Sequence, residues 1–299
     1  MSAILSLHGL SKRYGKVQAL HNLSLEVQPG HIYGLLGPNG SGKTTTLGIL
    51  LGITRPNQGH FTWFGAPPSA ASRQRIGTLL ETPNFYPYLS AVRNLEIVAT
   101  LKQRGYDRID EVLRQTGLYD RRTSAISTYS LGMRQRLALA AALVADPDVL
   151  VLDEPTNGLD PQGIADVRQL IRETGQRGKT IILASHILDE VEKICTHVAV
   201  LKQGVLLAEG SIHEVLNPEP RLILQAENPE ALAALVPHLP GYLRSERNGE
   251  RFAVWIEGQT AADINRYCFA QGVTLSHLNI VQRSLEETFL ALTQGETHA

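Results

Sequence analysis

The sequence has only two cysteines, Cys195 and Cys268, and neither stands at a spacing that ligates metal or carries redox chemistry. That excludes a small disulfide-stapled extracellular domain, and a reducing cytosol fits the chain best. Net charge is also scarce. The 28 Lys and Arg against 29 Asp and Glu leave a formal −1, which argues against a surface dominated by nucleic-acid phosphates. No apolar run approaches the ~20 residues of a membrane-spanning helix; the longest candidate, LALAAALVA from Leu137, has the length of a core helix. The opening MSAILSLHGLSKRY places no charged segment ahead of an apolar run, so no signal peptide is expected. Work at a membrane would have to run through another chain. Aromatic residues make up 6% of the sequence, yet Phe85, Tyr86 and Tyr88 share the single stretch TLLETPNFYPYLS. They either plug a local core or form a socket for another protein.

What is present points to an α/β fold. The 299 residues suffice for one large domain or two. NLSLEV, residues 22–27, alternates apolar and polar positions as a half-buried strand does. HIYGLLG (31–37), DVLVLD (148–153) and TIILAS (180–185) are continuous apolar runs, as expected for parallel strands covered on both faces. The expected architecture is a parallel core sheet with a small antiparallel β portion. Between about 89 and 145 helical spacing takes over, through Val92, Leu95 and Ala99, then Ile109 and Val112 or Leu113, with Gly117 as a C-cap. Ser130 is placed to cap the helix LGMRQRLALAAALVA. The prolines of LNPEPR mark a boundary, giving domains 1–217 and 218–299. The second reads β-α-β-β-α-β with a final helix, a ferredoxin-like order. Asn248 and Gly249 are expected to supply the positive φ angles of a type I′ hairpin, and Ser284 with Glu287 a capping box. Leu285, Phe289 and Leu292 have the spacing of a docked helix.

The sharpest motif is GPNGSGKTT, comprising Gly37, Pro38, Asn39, Gly40, Ser41, Gly42, Lys43, Thr44 and Thr45, directly after an apolar strand. Its glycines let successive backbone N–H groups turn around phosphate oxygens, at the positive end of the following helix. Lys43 is placed for the β and γ phosphates and Thr44 for a Mg²⁺ ion. The strand VLVLD ends in Asp153, followed by Glu154. One of these carboxylates suits the metal and the other a water molecule. Alone, such a pair is a common solvated strand end, and the upstream phosphate loop gives it weight. His186, one of ten histidines, follows the strand TIILAS at the sheet end where ligands collect. A surface or capping imidazole is the plain alternative to a γ-phosphate sensor.

Residues 3–217 resemble the nucleotide-binding subunits of ABC (ATP-binding cassette) transporters. GPNGSGKTT resembles the Walker A motif, VLVLDEPTNGLD the Walker B motif running into a D-loop with Asp160, and SHILDEVE the histidine switch. The family signature LSGGQ has the form YSLGM here: Ser130 and Gly132 match, while Leu131 and Met133 depart. The resemblance implies that ATP is bound with Mg²⁺, that Tyr14 stacks on adenine, and that Val17 joins the nucleotide contacts. It implies Glu154 as the catalytic base, with Lys43 and His186 on the phosphates and Thr44 and Asp153 on the metal. It further implies that Ser130, Gly132 and Asp160 of one subunit act across a dimer of two cassettes. Glu81 stands where most members carry glutamine and is expected to reach Mg²⁺, while Phe85, Tyr86 and Tyr88 beside it face a separate membrane permease. YSLGM and the C-terminal extension are similar to bacterial drug, bacitracin and lantibiotic exporter cassettes. The protein is thus expected at the cytoplasmic membrane face, held by its permease, with no nucleic-acid partner. A soluble ABC ATPase acting on ribosome or DNA is the alternative, weakened by the single cassette and by the absence of a long coiled-coil insert between Lys43 and Ser130. Residues 218–299 fit either a packing appendage or a regulatory sensor.

Overall fold

The computed structural model describes residues 2–80, 84–216 and 221–281, together with Phe289. Glu81 therefore lies outside the described residues, as do Ser284, Glu287, Leu285 and Leu292. Two compact units form, one ending at Val215 and the other beginning at Leu216.

The first unit opens with β1 (Leu5–Tyr14), β2 (Val17–Val27), β3 (Ile32–Leu36), α1 (Lys43–Leu50), β4 (Gln58–Trp63), α2 (Ala70–Gln74) and β5 (Ile76–Leu79). A helical stretch follows, α3 (Ala91–Lys102), α4 (Ile109–Gln115) and α5 (Leu131–Leu143). The chain then runs through β6 (Val149–Asp153), α6 (Pro161–Gln176), β7 (Thr180–Ser185), α7 (Leu188–Ile194), β8 (His197–Lys202), β9 (Val205–Ser211) and α8 (Ile212–Leu216). Six strands make the central sheet in the order β5-β6-β7-β3-β8-β9. The first five are parallel and β9 is antiparallel at the edge.

The three apolar runs become β3, β6 and β7, the middle of this sheet, and every residue in them is buried. A strand covered on both faces has no solvent side to mark with polar residues. The antiparallel portion is larger than NLSLEV alone, a three-stranded sheet ordered β2-β1-β4. Register shifts in β1 between Leu7 and Leu10, and again before Lys12, interrupt the period-two pattern that would have marked it as a strand. One core joins the two sheets, with Leu7, Leu25 and Trp63 from the antiparallel layer and Tyr33, Val151 and Ile182 from the parallel one. Trp63 Nε1 donates to the Leu50 carbonyl at 2.9 Å, so its burial costs no lost hydrogen bond.

The helical stretch is pinned to the sheet where β5 and α5 nearly touch. A Cβ on Gly77 would lie 2.0 Å from the Ala142 carbonyl oxygen, backbone against backbone. Gly77→Ala is expected to destabilise the unit by about 1–3 kcal/mol, as other forced overpacking does. Calorimetry would read this as a fall in Tm of about 2–12 °C, and an unchanged Tm would contradict the close approach.

The second unit comprises β10 (Arg221–Ala226), α9 (Pro229–Leu235), β11 (Tyr242–Asn248), β12 (Arg251–Ile256), α10 (Ala261–Ala270) and β13 (Leu275–Val281). Its antiparallel sheet has the order β11-β12-β10-β13, the ferredoxin-like arrangement. Leu222, Leu224, Phe252 and Val254 pack on Ile264 and Cys268 of α10. The hairpin differs from the type I′ expectation. Asn248 pairs with Arg251 as the last ladder residue, so the loop is Gly249–Glu250. Of Asn248 and Gly249 only the glycine has positive φ, 62°. Glycine first with a two-residue loop is the type II′ solution.

Candidate functional site

The phosphate loop leaves the C-terminal end of β3 and turns into α1. No side chain caps α1, whose N-cap is Gly42 at φ 107°. A Cβ there would come within 2.7 Å of the Ala19 carbonyl, so both conformation and space call for glycine. The uncapped first turn leaves its N–H groups facing an open cleft of about 300 Å³. Asn39, Gly40, Ser41, Gly42, Lys43, Thr44 and Thr45 line it, with Val17, Asp153 and Glu154. Ser41 Oγ is buried and has no hydrogen-bond partner among the described residues. The Lys43 ammonium reaches back to the Gly37 carbonyl at 2.7 Å and the Pro38 carbonyl at 3.3 Å. Burial pushes its pKa down, and the carboxylates of Glu154 and Asp153 push it back up.

Because β6, β7 and β3 are neighbours, their ends meet at this cleft. Asp153 is 1% exposed at the end of β6. Glu154 follows in the left-handed region, φ 48°, a conformation that a non-glycine residue holds only when its surroundings impose it. Its N–H donates to the Ala184 carbonyl of β7 at 2.9 Å. Its carboxylate lies 2.9 Å from His186 Nδ1 through Oε1 and accepts from Ser185 Oγ at 3.4 Å through Oε2. Acid and imidazole, adjacent to neither each other nor the lysine in sequence, thus stand together; Glu154 lines the cleft and His186 does not. Tyr14 lines a second cleft of about 400 Å³ that shares Thr44, Thr45 and Asp153 with the first. Its ring is 49% exposed and carries the Lys12 ammonium 4.9 Å from its centroid.

Other expected residues lie elsewhere. Ser130 caps α5, its Oγ accepting from the Met133 N–H at 3.2 Å. Asp160 caps α6 through Gly163 N–H at 2.9 Å. Ser130, Gly132 and Asp160 line neither cleft. The segments that carry them approach each other, since a Cβ on Gly158 would meet the Leu131 side chain at 2.7 Å and one on Gly132 the Leu159 side chain at 3.4 Å. In the aromatic stretch Tyr86 is 50% and Tyr88 72% exposed. Their rings meet edge to face at 6.0 Å, and Phe85 is half-buried. The two tyrosines do not plug a core.

Family comparison agrees with this geometry. Residues 20–157 match the family described as ABC transporter. An uncharacterized ABC transporter ATP-binding protein of Bacillus subtilis, YdbJ, is 35% identical over 97% of this chain and 95% of its own length. The chain belongs to the ATP-binding proteins of ABC transporters. The bacitracin transport ATP-binding protein BcrA of Bacillus licheniformis is 35% identical over 99% of both chains. Among solved structures, an ATP-binding cassette in dimeric, post-hydrolysis form with ADP and Pi is 26% identical, with TM-score 0.63, covering 70% of this chain and 98% of that one. Cassettes of this family hydrolyse ATP to drive transport.

The cassette cleft fits a nucleotide's phosphates. It offers uncapped N–H groups, the unpartnered Ser41 hydroxyl and a buried ammonium, all donors. Thr44 and Asp153 supply the oxygen donors that Mg²⁺ prefers.

Three residues that pattern reasoning passed over complete the surroundings. Gln135 of α5, 3% exposed, donates from Nε2 to the Pro155 carbonyl at 3.0 Å. Its sequence signal was available, since Gln135 stands with Ala138, Leu139 and Ala142 on the apolar stripe of α5. Asn94, also buried, accepts from Tyr86 N–H at 2.8 Å and donates to the Tyr86 and Ser90 carbonyls. It clamps the loop that presents the tyrosines. Ser185 has no sequence signal beyond its place before His186.

Proposed function

We propose that this cassette pairs with a second copy around two ATP molecules and drives an exporting membrane permease, a separate chain, from the cytoplasmic face. The observation that carries the pairing is the division of the site. Lys43, Asp153 and Glu154 line one cleft, with His186 held against Glu154, whereas Ser130 and Gly132, at an N-terminus suited to a γ phosphate, line neither cleft of their own chain and contact none of these residues in the bonds described. A second copy closing on the first brings the two halves together. The dimeric cassette with ADP and Pi is consistent with this.

In hydrolysis, Lys43 leaves the Gly37 and Pro38 carbonyls to hold the β and γ phosphates, and Tyr14 with Val17 receives the base and ribose side. Thr44 and Asp153 are the residues that would hold Mg²⁺, and its chemistry there is to neutralise charge on the phosphate oxygens. Glu154 accepts a proton from the attacking water as the bond from the γ phosphorus to the bridging oxygen breaks and ADP leaves. His186, released from Glu154 Oε1, turns to the γ phosphate. Glu81 belongs to the same proposal as a link between the metal and the permease, although it lies outside the described residues.

Export is supported by the Nod factor export ATP-binding protein I of Cupriavidus metallidurans, 40% identical over 73% of this chain and 75% of its own length. Phe85, Tyr86 and Tyr88 form the permease contact, since exposed aromatics bury much area with few rotatable bonds. Tyr86→Ala is expected to weaken permease binding by about 30-fold, the loss of a typical aromatic hot spot, and to uncouple transport while ATP binding stays intact. Co-purifying the membrane chain that the wild type binds, then reconstituting the pair and comparing transport with ATP turnover, tests the reading. Normal transport by the variant would remove Tyr86 from the interface. The residue range 218–299 is proposed as an accessory domain separate from the cassette of 1–217.

A further inference from the structure

We propose that Gln135 is a positioning residue for hydrolysis, its buried amide fixing the turn that carries Glu154 and tying that turn to the helix headed by Ser130. Glu154 sits at φ 48°, and a non-glycine residue persists in this strained region only when its neighbours over-determine it. Three elements do so. From β7, Ala184 accepts the Glu154 N–H at 2.9 Å. On the α7 side, the Thr156 hydroxyl donates to the Glu190 carboxylate at 2.5 Å, both residues being buried. From α5, Gln135 Nε2 donates to the Pro155 carbonyl at 3.0 Å and approaches the Glu154 carbonyl at 3.5 Å.

The amide is an expensive choice for this position. Gln135 is 3% exposed, on the stripe of α5 otherwise made of Ala138, Leu139 and Ala142. A buried polar group costs free energy unless its hydrogen bonds are made, and the bonds it makes are to two successive carbonyls of the catalytic turn. Proline at 155 contributes no N–H to that turn, so beyond the Glu154 N–H already given to Ala184 the carbonyls are the handles that α5 can hold. The result is a mechanical joint. When α5 moves, the Pro155 carbonyl moves with it, and the Glu154 carboxylate is re-aimed relative to the cleft holding Lys43. Resting on the dimer reading above, the joint has a further consequence. Ser130 of one chain serves the nucleotide held by the other, while Glu154 serves its own, so Gln135 makes closure at one site a condition for correct aim at the second.

The experiment compares wild type, Gln135→Met, Glu154→Gln and the double variant in ATP turnover and nucleotide binding. Methionine keeps the length and loses the donor. Gln135→Met is expected to lower kcat by about 10- to 100-fold, the cost of a misplaced reacting group, with KM for ATP changed less than about threefold. In the Glu154→Gln background the same replacement should leave the residual rate unchanged, because the amide acts only through Glu154. A Gln135→Met rate within about twofold of wild type, or an equal further loss in both backgrounds, would overturn the proposal. Should the methionine variant not fold, Gln135→Asn keeps an amide one methylene short; it is expected to fold and lose about tenfold in kcat at unchanged KM, and wild-type kcat in it would equally overturn the assignment. Wild-type turnover measured alongside separates the two readings, since a wild type without hydrolysis fails the ATPase assignment itself, whatever Gln135 does.

Discussion

Glu154→Gln is expected to lower steady-state ATP hydrolysis by about 10²- to 10⁴-fold, the contribution of a positioned general base, while ATP still binds. The replacement is isosteric, so the turn at φ 48° and its bond to Ala184 persist. What changes is the chemistry of the side chain. A carboxylate 2.9 Å from His186 Nδ1 and 3.4 Å from Ser185 Oγ takes up a proton from water, and a neutral amide does not. Binding is spared because the Lys43 ammonium and the uncapped N-terminus of α1 are untouched. With bond cleavage blocked, two copies should remain closed around ATP, so light scattering with ATP and Mg²⁺ is expected to report a long-lived dimer that the wild type forms only transiently. Turnover within about tenfold of wild type would remove Glu154 from the role of base.

Lys43→Ala should act one step earlier. The ammonium is buried and held by two loop carbonyls, at 2.7 and 3.3 Å. It can exchange these for phosphate oxygens at small reorganisation cost. A hydrogen bond to a charged partner contributes about 2–3 kcal/mol, so its loss should weaken ATP binding by about 30- to 150-fold. Turnover at subsaturating ATP should fall at least as far, because the same contact strengthens as charge builds on the leaving phosphate. Isothermal titration with ATP separates this from Glu154→Gln, which leaves affinity near wild type. Equal affinity in Lys43→Ala would place the phosphates outside this cleft. The two variants together distinguish a loop that binds from a carboxylate that reacts.

Much of the site was legible because its parts are local. GPNGSGKTT is one contiguous loop whose strand and helix flank it directly, and VLVLDE is one strand with its end. Continuous apolar runs identified β3, β6 and β7 because burial on both faces removes polar alternation. Less legible were β1, whose bulges break the period, and β8 with β9, a hairpin at the edge of the central sheet. The hairpin in the second unit was placed correctly and its turn was not. Which of Asn248, Gly249 and Glu250 occupies the loop depends on the register of β11 against β12, not on the dipeptide.

By itself, the sequence determined the α/β character, the phosphate loop, the acidic strand end and the order of the family's motifs, all of which depend on neighbours within a few residues. Only the tertiary structure decided what meets what. It set His186 against Glu154, seated Gln135 against the Pro155 carbonyl, held Tyr86 through Asn94, and kept Ser130 out of the cleft that Lys43 lines. Each of these contacts joins residues from separate elements whose spacing is fixed by sheet order and helix packing. Local pattern carries no information about such distances until the strands have taken their places.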